Sequence, residues 1–221
     1  MDKVLVNSNV KDILMGRSLT MDVYSAIKKR RSIRKYRPDR IPDAIMEKLL
    51  GAIRLAPSGG NRQPYRFIVV QEQDTKEKIA AACRWYPGRP QGQGFIAEAP
   101  VVIVACGSVN NAVVRYYTDE GVTLKTGWDV PPEVNRKQAD YQNIMEIDLA
   151  IALDHLTLVA AAEGLGTCWI AALDEREIKK LLSIPEDKRV LVVMPVGYTD
   201  SWPEPRPRKP LEKLICYEKY S

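Results

Sequence analysis

The sequence predicts one mixed domain of helices and strands, of the α/β type. Three observations carry this. Residues 100–106 ("PVVIVAC") and 189–198 ("RVLVVMPVGY") are apolar on both faces, as buried strands are. Other stretches place apolar residues three and four apart, which is the helical period. No internal repeat or linker divides the 221 residues, a length that suits a single domain with a substantial core.

Taken in order, residues 1–20 show no period and read as an N-terminal extension; the single domain is expected over 21–221. Thr20 and Asp22 are suited to cap a helix carrying Val23 and Ile27, and its basic last turn complements the helix dipole. In "IPDAIMEKLLGAIRLAPS" (41–58), Pro42 stands at a helix start and Pro57 after its end. Ile45, Leu49, Ala52, Ile53 and Ala56 form its apolar stripe. "FIVVQ" (67–71) is a short strand. "DTKEKIAAACRW" (74–85) is a helix expected to be capped by Asp74, and "YPGRPQGQG" (86–94) is a loop. Residues 108–140 show little period and read as a long excursion containing one helix. Residues 143–163 give the strongest helical signal, apolar around most of the circumference, so a central or interface helix is expected. Gly164 and Gly166 supply its stop. "TCWIAA" (167–172) reads as a strand and "DEREIKKLLS" (174–183) as a capped amphipathic helix; a proline-rich tail begins at Trp202.

Composition narrows the function. The net charge of +5 favours small anions mildly and does not by itself argue for DNA. Cys83, Cys106, Cys168 and Cys216 form no CxxC pair and read as buried, reduced thiols. No apolar run is long enough to span a bilayer, and the first twenty residues lack a secretory pattern. A cytoplasmic protein is therefore expected, with no membrane partner.

Several chemistries fall away. His155 is the one histidine, so a Ser-His-Asp triad or a multi-histidine metal site cannot be built within one chain. "GLGTCW" (164–169) is not a GxGxxG fingerprint and follows a helix rather than opening one. Ser58 has no GxSxG elbow around it. Two stretches remain. "RRSIRKYRPDR" (30–40) holds five arginines interrupted by Ser32, Ile33 and Tyr36. Arg30 and Arg34, four apart, could share one side of a helix end. Arginine forks and a serine hydroxyl suit phosphate oxygens. "APSGGNRQPYRF" (56–67) offers glycines for close backbone approach, and the amides of Asn61 and Gln63 for reading a heterocycle's edge. Together they describe a ligand with a phosphate end and a hydrogen-bonding ring. Flavin mononucleotide (FMN) answers to that description, as do other nucleotides.

At this point the chain resembles the FMN-dependent nitroreductase family. The matching elements run in order: "RRSIRKY" (30–36), "APSGGNRQP" (56–64), "GLGTCWIAA" (164–172), "PVGY" (195–198) and "RPRKPLEKL" (206–214). The resemblance implies an α+β three-layer sandwich, a mostly antiparallel central sheet flanked by helices, and an intertwined homodimer with FMN at the interface. It implies that Arg30, Arg31, Ser32 and Arg34 approach the phosphate and pyrimidine edge, with Arg206 and Arg208 adding phosphate contacts. Pro57, Ser58 and Asn61 would come from the other subunit, with Gln63 near the ring and Ala171 and Ala172 beside it. Lys35, Arg37 and Arg40 would stay solvated. NADH or NADPH would supply hydride to the flavin, and a nitroaromatic, quinone or enone would then enter the same space. Related activities, cleaving FMN with oxygen or removing halogen from a phenol, remain open, as does a non-catalytic flavin-binding redox sensor. Whether residues 108–141 form a lid for such a specific substrate stays open. No nucleic-acid fold signature accompanies the basic run, so no nucleic-acid partner is expected.

Overall fold

A computed structural model describes residues 21–84, 92–108, 117–118, 121–122 and 138–220. Its frame is the strand pair that the two apolar runs form. β2 (Val101–Gly107) is buried along its whole length. It pairs antiparallel with β6 (Arg189–Gly197) on one side and with β1 (Tyr65–Val70) on the other. β5 (Gly166–Thr167) adds to the free side of β6, giving the order β1-β2-β6-β5 with every pair antiparallel.

Alternation along β2 builds two cores, because successive side chains point to opposite faces. Ile103 and Ala105 face one core with Leu49, Ile53, Leu149, Leu153 and Leu156; Val102, Val104 and Cys106 face the other with Ile79, Cys83 and Ile178. A bulge opposite Ala105 and Cys106 inserts one extra residue, Leu191, into β6. It shifts the alternation by one, so Val190 and Val193 share the second core while Val192, Met194 and Val196 share the first.

Helices cover both faces, and the fold is α+β. The first core lies under α2 (Asp43–Leu55) and α5 (Gln138–Ala162). The second lies under α3 (Gln73–Ala82) and α6 (Glu175–Leu182), with the single-turn α4 (Phe95–Glu98) alongside. α1 (Val23–Lys29) packs on α5. A two-stranded ribbon pairs β3 (Tyr117–Thr118) with β4 (Gly121–Val122). Burying Leu149, Leu153 and Leu156 of α5 contributes about 1.5–3 kcal/mol each. On the outside Val23, Tyr24, Ile27, Leu55 and Ile147 are exposed. Among the described residues no helix is long and apolar enough to cross a membrane.

The caps follow the sequence in part. Asp22 accepts from the Ser25 N–H, and Asp174 accepts from the Glu177 N–H. Glu72, not Asp74, stands at the N-cap of α3; Asp74 falls inside the first turn, where its charge still suits the dipole. α5 begins five residues before the expected start. Met46 joins Leu49 and Ile53 on the buried side of α2. Cys216 is exposed, because the chain after Trp202 lies on the surface. The segment 167–172 is not one strand. Thr167 pairs with Val196, and Ile170 alone pairs with Val193. Between them Trp169 leaves the ladder, and its indole N–H donates to Thr157 Oγ1 of α5 at 3.1 Å. Thr20, most of 86–94 and most of 108–141 lie outside the described residues.

Gly166 marks the tightest contact between the basic motif and the sheet. A Cβ there would lie 2.3 Å from Ile33 Cγ1, and Ile33 is fully buried. Gly166→Ala should therefore destabilise the protein by about 1–3 kcal/mol through overpacking. The check is a denaturant titration in which the midpoint falls while the slope stays constant.

Candidate functional site: an arginine cleft and a braced glycine loop

α1 ends at Lys29, and Arg30 already has extended backbone, with φ −51° and ψ 131°. The expected helical juxtaposition of Arg30 and Arg34 is thus replaced by an extended one. Ser32 bridges Thr167 in parallel, the Ile33 N–H donates to Thr167 O at 2.9 Å, and Ile33 is buried. Tyr36 fixes the far end: its hydroxyl donates within reach of Ile33 O (2.9 Å) and Pro195 O (3.3 Å). Burial raises the Tyr36 pKa, so the phenol stays protonated across the ordinary pH range.

This anchoring opens a cleft of 290 Å³ on the other side of the segment. Arg30, Arg31, Ser32 and Arg34 form one wall, and Pro203, Glu204, Arg206 and Arg208 of the tail form the opposite one. Six residues singled out from the sequence thus meet in one place. No motif marks Glu204, the lone carboxylate among five arginines in this cleft. Arg31 is committed elsewhere. Its Nη1 donates to Lys28 O (2.6 Å), Arg30 O (2.9 Å) and Lys29 O (3.2 Å), capping the last carbonyls of α1, and its Nε donates to Pro203 O at 3.1 Å. Arg31 therefore ties the helix end to the tail. Arg37 and Arg40 lie outside the cleft, paired on the surface with Asp39 and Asp200 and with Asp43. Lys35 is exposed. A larger cleft of 470 Å³, lined by Glu77 and Glu98 and by no basic residue, does not suit an anion.

The glycine loop stands apart, and none of Pro57, Ser58, Asn61 or Gln63 lines the arginine cleft of the same chain. Its backbone is left-handed at three positions, Gly60 (φ 58°), Asn61 (φ 54°) and Gln63 (φ 49°). Such conformations cost about 1–3 kcal/mol at a non-glycine residue unless neighbours hold them. Ser58 supplies two of the braces: its carbonyl accepts from the Asn61 N–H at 2.8 Å and its Oγ from the Gln63 N–H at 2.9 Å. The Gln63 amide donates to Asn61 O and Oδ1. Asp148 of α5, which the sequence reading passed over, accepts from the Gly59 N–H at 3.0 Å. An acid, Asp148, set among apolar residues in the run "IMEIDLAIAL" (144–153) was the available signal, though Glu146 in the same run carries the same charge.

Ala171 is exposed and Ala172 half-buried, and neither lines the arginine cleft. Both the N–H and the carbonyl of Ile170 bond to Val193. Alternation along an extended chain then turns the Ala171 N–H away from the sheet. Among the described residues it has no hydrogen-bond partner.

The family model described as the nitroreductase family matches residues 27–198. The chain belongs to the nitroreductase family. It is a nitroreductase-family oxidoreductase by this match. An NADH dehydrogenase of Thermus thermophilus is 29% identical over 89% of this chain and 96% of the relative. An FMN reductase [NAD(P)H] of Bacillus subtilis is 27% identical over 90% and 74%. An iodotyrosine deiodinase of Thermotoga neapolitana is 26% identical over 87% and 95%. The crystal structure of a nitroreductase family protein from Clostridium novyi NT is 33% identical, covers 81% of this chain and 87% of that chain, and superimposes with a TM-score of 0.63.

Three thiols of this family member are shielded. Burial pushes Cys83 and Cys106 up to about 12. It also raises Cys168, against the opposing pull of Arg34 and Arg30. A thiol near 12 is ionised to about one part in ten thousand at pH 8, and the thiolate is the reactive form. A disulfide reagent at pH 8 should therefore modify Cys216 rapidly and the other three only after denaturation. A second fast-reacting thiol in the native protein would contradict the burial.

Proposed function

We propose that the chain is an FMN-dependent oxidoreductase that draws hydride from NADH or NADPH and passes electrons to an electron-poor small molecule such as a nitroaromatic, quinone or enone. The observation that carries this is the arginine cleft. Arg30, Arg34, Arg206 and Arg208 supply guanidinium forks, and Ser32 a hydroxyl, around a space fit for a phosphate dianion. The donor set therefore fits the terminal phosphate of FMN, while Arg31 positions the wall and Glu204 limits the excess charge.

When bound, FMN would supply the hydride and electron chemistry. The chain's part is to bind, orient and polarise. The outward N–H of Ala171 has no partner among the described residues and is suited to a ring nitrogen, and the small side chains of Ala171 and Ala172 permit close approach. Positive charge from Arg34 favours negative charge on the pyrimidine side of the ring. Pro57, Ser58, Asn61 and Gln63 do not line the same chain's cleft, which supports their contribution from a second copy. The exposed Val23, Tyr24, Ile27, Leu55 and Ile147 support such a homodimer. The proposal takes residues 21–221 as one flavin-binding unit. A cytoplasmic location accords with the three buried, unbridged thiols.

The purified protein should be yellow, and NADH or NADPH should bleach it without oxygen. Heat-released cofactor should chromatograph as FMN; FAD alone would refute the assignment. A yellow protein that no nicotinamide bleaches would favour a redox sensor. The deiodinase relative supports a second reading, reductive removal of halogen from a phenol. Iodide release from an iodophenol by the reduced protein, faster than reduction of any quinone or nitroaromatic, would favour it.

Arg34→Ala should weaken FMN binding by about 1.5–3 kcal/mol, or roughly tenfold to over a hundredfold, by removing a charge-assisted hydrogen bond. Arg37→Ala and Arg40→Ala should change it little, since both side chains are exposed and paired with carboxylates away from the cleft. Fluorescence titration of FMN against the three variants measures this, and equal losses would point to a diffuse basic surface.

A further inference from the structure

Asp148 is a carboxylate on an apolar helix, 4% exposed, between α5 and the glycine loop. Burying a charge in such a place opposes folding unless hydrogen bonds compensate it. Its Oδ1 accepts from the Gly59 N–H at 3.0 Å. Its Oδ2, together with Arg62 Nε and Tyr65 Oη, is buried with no hydrogen-bond partner among the described residues. Two of these side chains approach Gly59: a Cβ built there would lie 2.5 Å from Arg62 Nη2 and 3.8 Å from Asp148 Oδ2. The charge of Asp148 also reaches Tyr65, adding to the effect of burial in raising its phenol.

The remaining bonds of the loop are internal. Asn61 bonds to Ser58, Arg62 to Gly59, and Gln63 to Ser58 and Asn61. Among the described residues, the bond from Gly59 to Asp148 is the one that ties residues 58–63 to the rest of the protein. The internal bonds give the loop a shape, and this one sets where that shape sits relative to the helix and sheet.

We propose that Asp148 is a positioning residue for the ligand-binding loop. Its carboxylate holds the Gly59 amide, and through it the left-handed turn that presents Ser58, Asn61 and Gln63. Asp148 touches no ligand itself. The proposal rests on the FMN reading for its consequence, but not for the contact. What the role requires is an acceptor at Oδ1, so an uncharged isostere serves and a truncated side chain does not.

The test compares Asp148→Ala and Asp148→Asn with the full-length wild type. FMN affinity should fall at least about tenfold in D148A and stay within about threefold of wild type in D148N, with unchanged far-ultraviolet circular dichroism. A purely structural role would lower stability in both without this split. Amide hydrogen exchange in the flavin-free protein gives a second readout. Gly59 should be protected in wild type and in D148N, and exchange faster in D148A. Wild-type FMN affinity in D148A would overturn the proposal, as would equal losses in both variants. If D148A does not fold, wild-type exchange decides: a Gly59 amide as fast as an unstructured peptide overturns the proposal, and protection retained in D148N supports it. A wild-type protein that binds no FMN, yet protects Gly59, would refute the flavin reading and leave the contact standing.

Discussion

The antiparallel pairing of β2 with β6 is the constraint on which the other elements depend. Both strands are buried among two sets of side chains, so neither can slip register without moving apolar groups between cores. The basic motif is hung from this pair. Tyr36 bonds to Pro195 of β6, and Ile33 packs where β5 meets β6. Ile170, just before Ala171, is bonded on both sides to Val193. Cleft-lining arginines and an outward amide are thereby fixed by contacts made on the opposite, buried side of their own segments.

The structure separates side chains left open to the cleft from those that aim them. Ile33 and Tyr36 are apolar or neutral, yet they decide which way Arg30 and Arg34 lie. Arg31 belongs with the aiming group despite its charge, since three carbonyls of a helix end occupy its guanidinium. Counting arginines in the motif overstates the charge available to a ligand. The same division holds in the glycine loop, where Ser58 spends its hydroxyl oxygen on Gln63 while its O–H remains able to donate.

Much of this was legible in the sequence because it rests on local patterns. Two runs apolar on both faces gave β2 and β6, the run at 143–163 gave α5, and capping aspartates gave the starts of α1 and α6. The arginine motif was legible as groups suited to an anion, the tail arginines only through the family resemblance, and both line one cleft. What escaped depends on long-range contacts. Trp169 breaks the expected strand because a threonine two elements away accepts its N–H. The left-handed turn at Asn61 and Gln63 is held by bonds no propensity encodes, and Asp148 finds its partner 89 residues away.

The far wall of the cleft belongs to a stretch of chain that is exposed at every position from Pro203 to Tyr220. Two of the five arginines therefore sit on a segment that buries nothing in either core. In the proposed reading the affinity is divided between the core-anchored motif and this tail, and the two join where Arg31 grips the carbonyl of Pro203. Under that reading, sequence drift in the tail retunes what the cleft holds while leaving intact the sheet that lets the chain fold, so ligand preference evolves by rewriting a strap rather than a core.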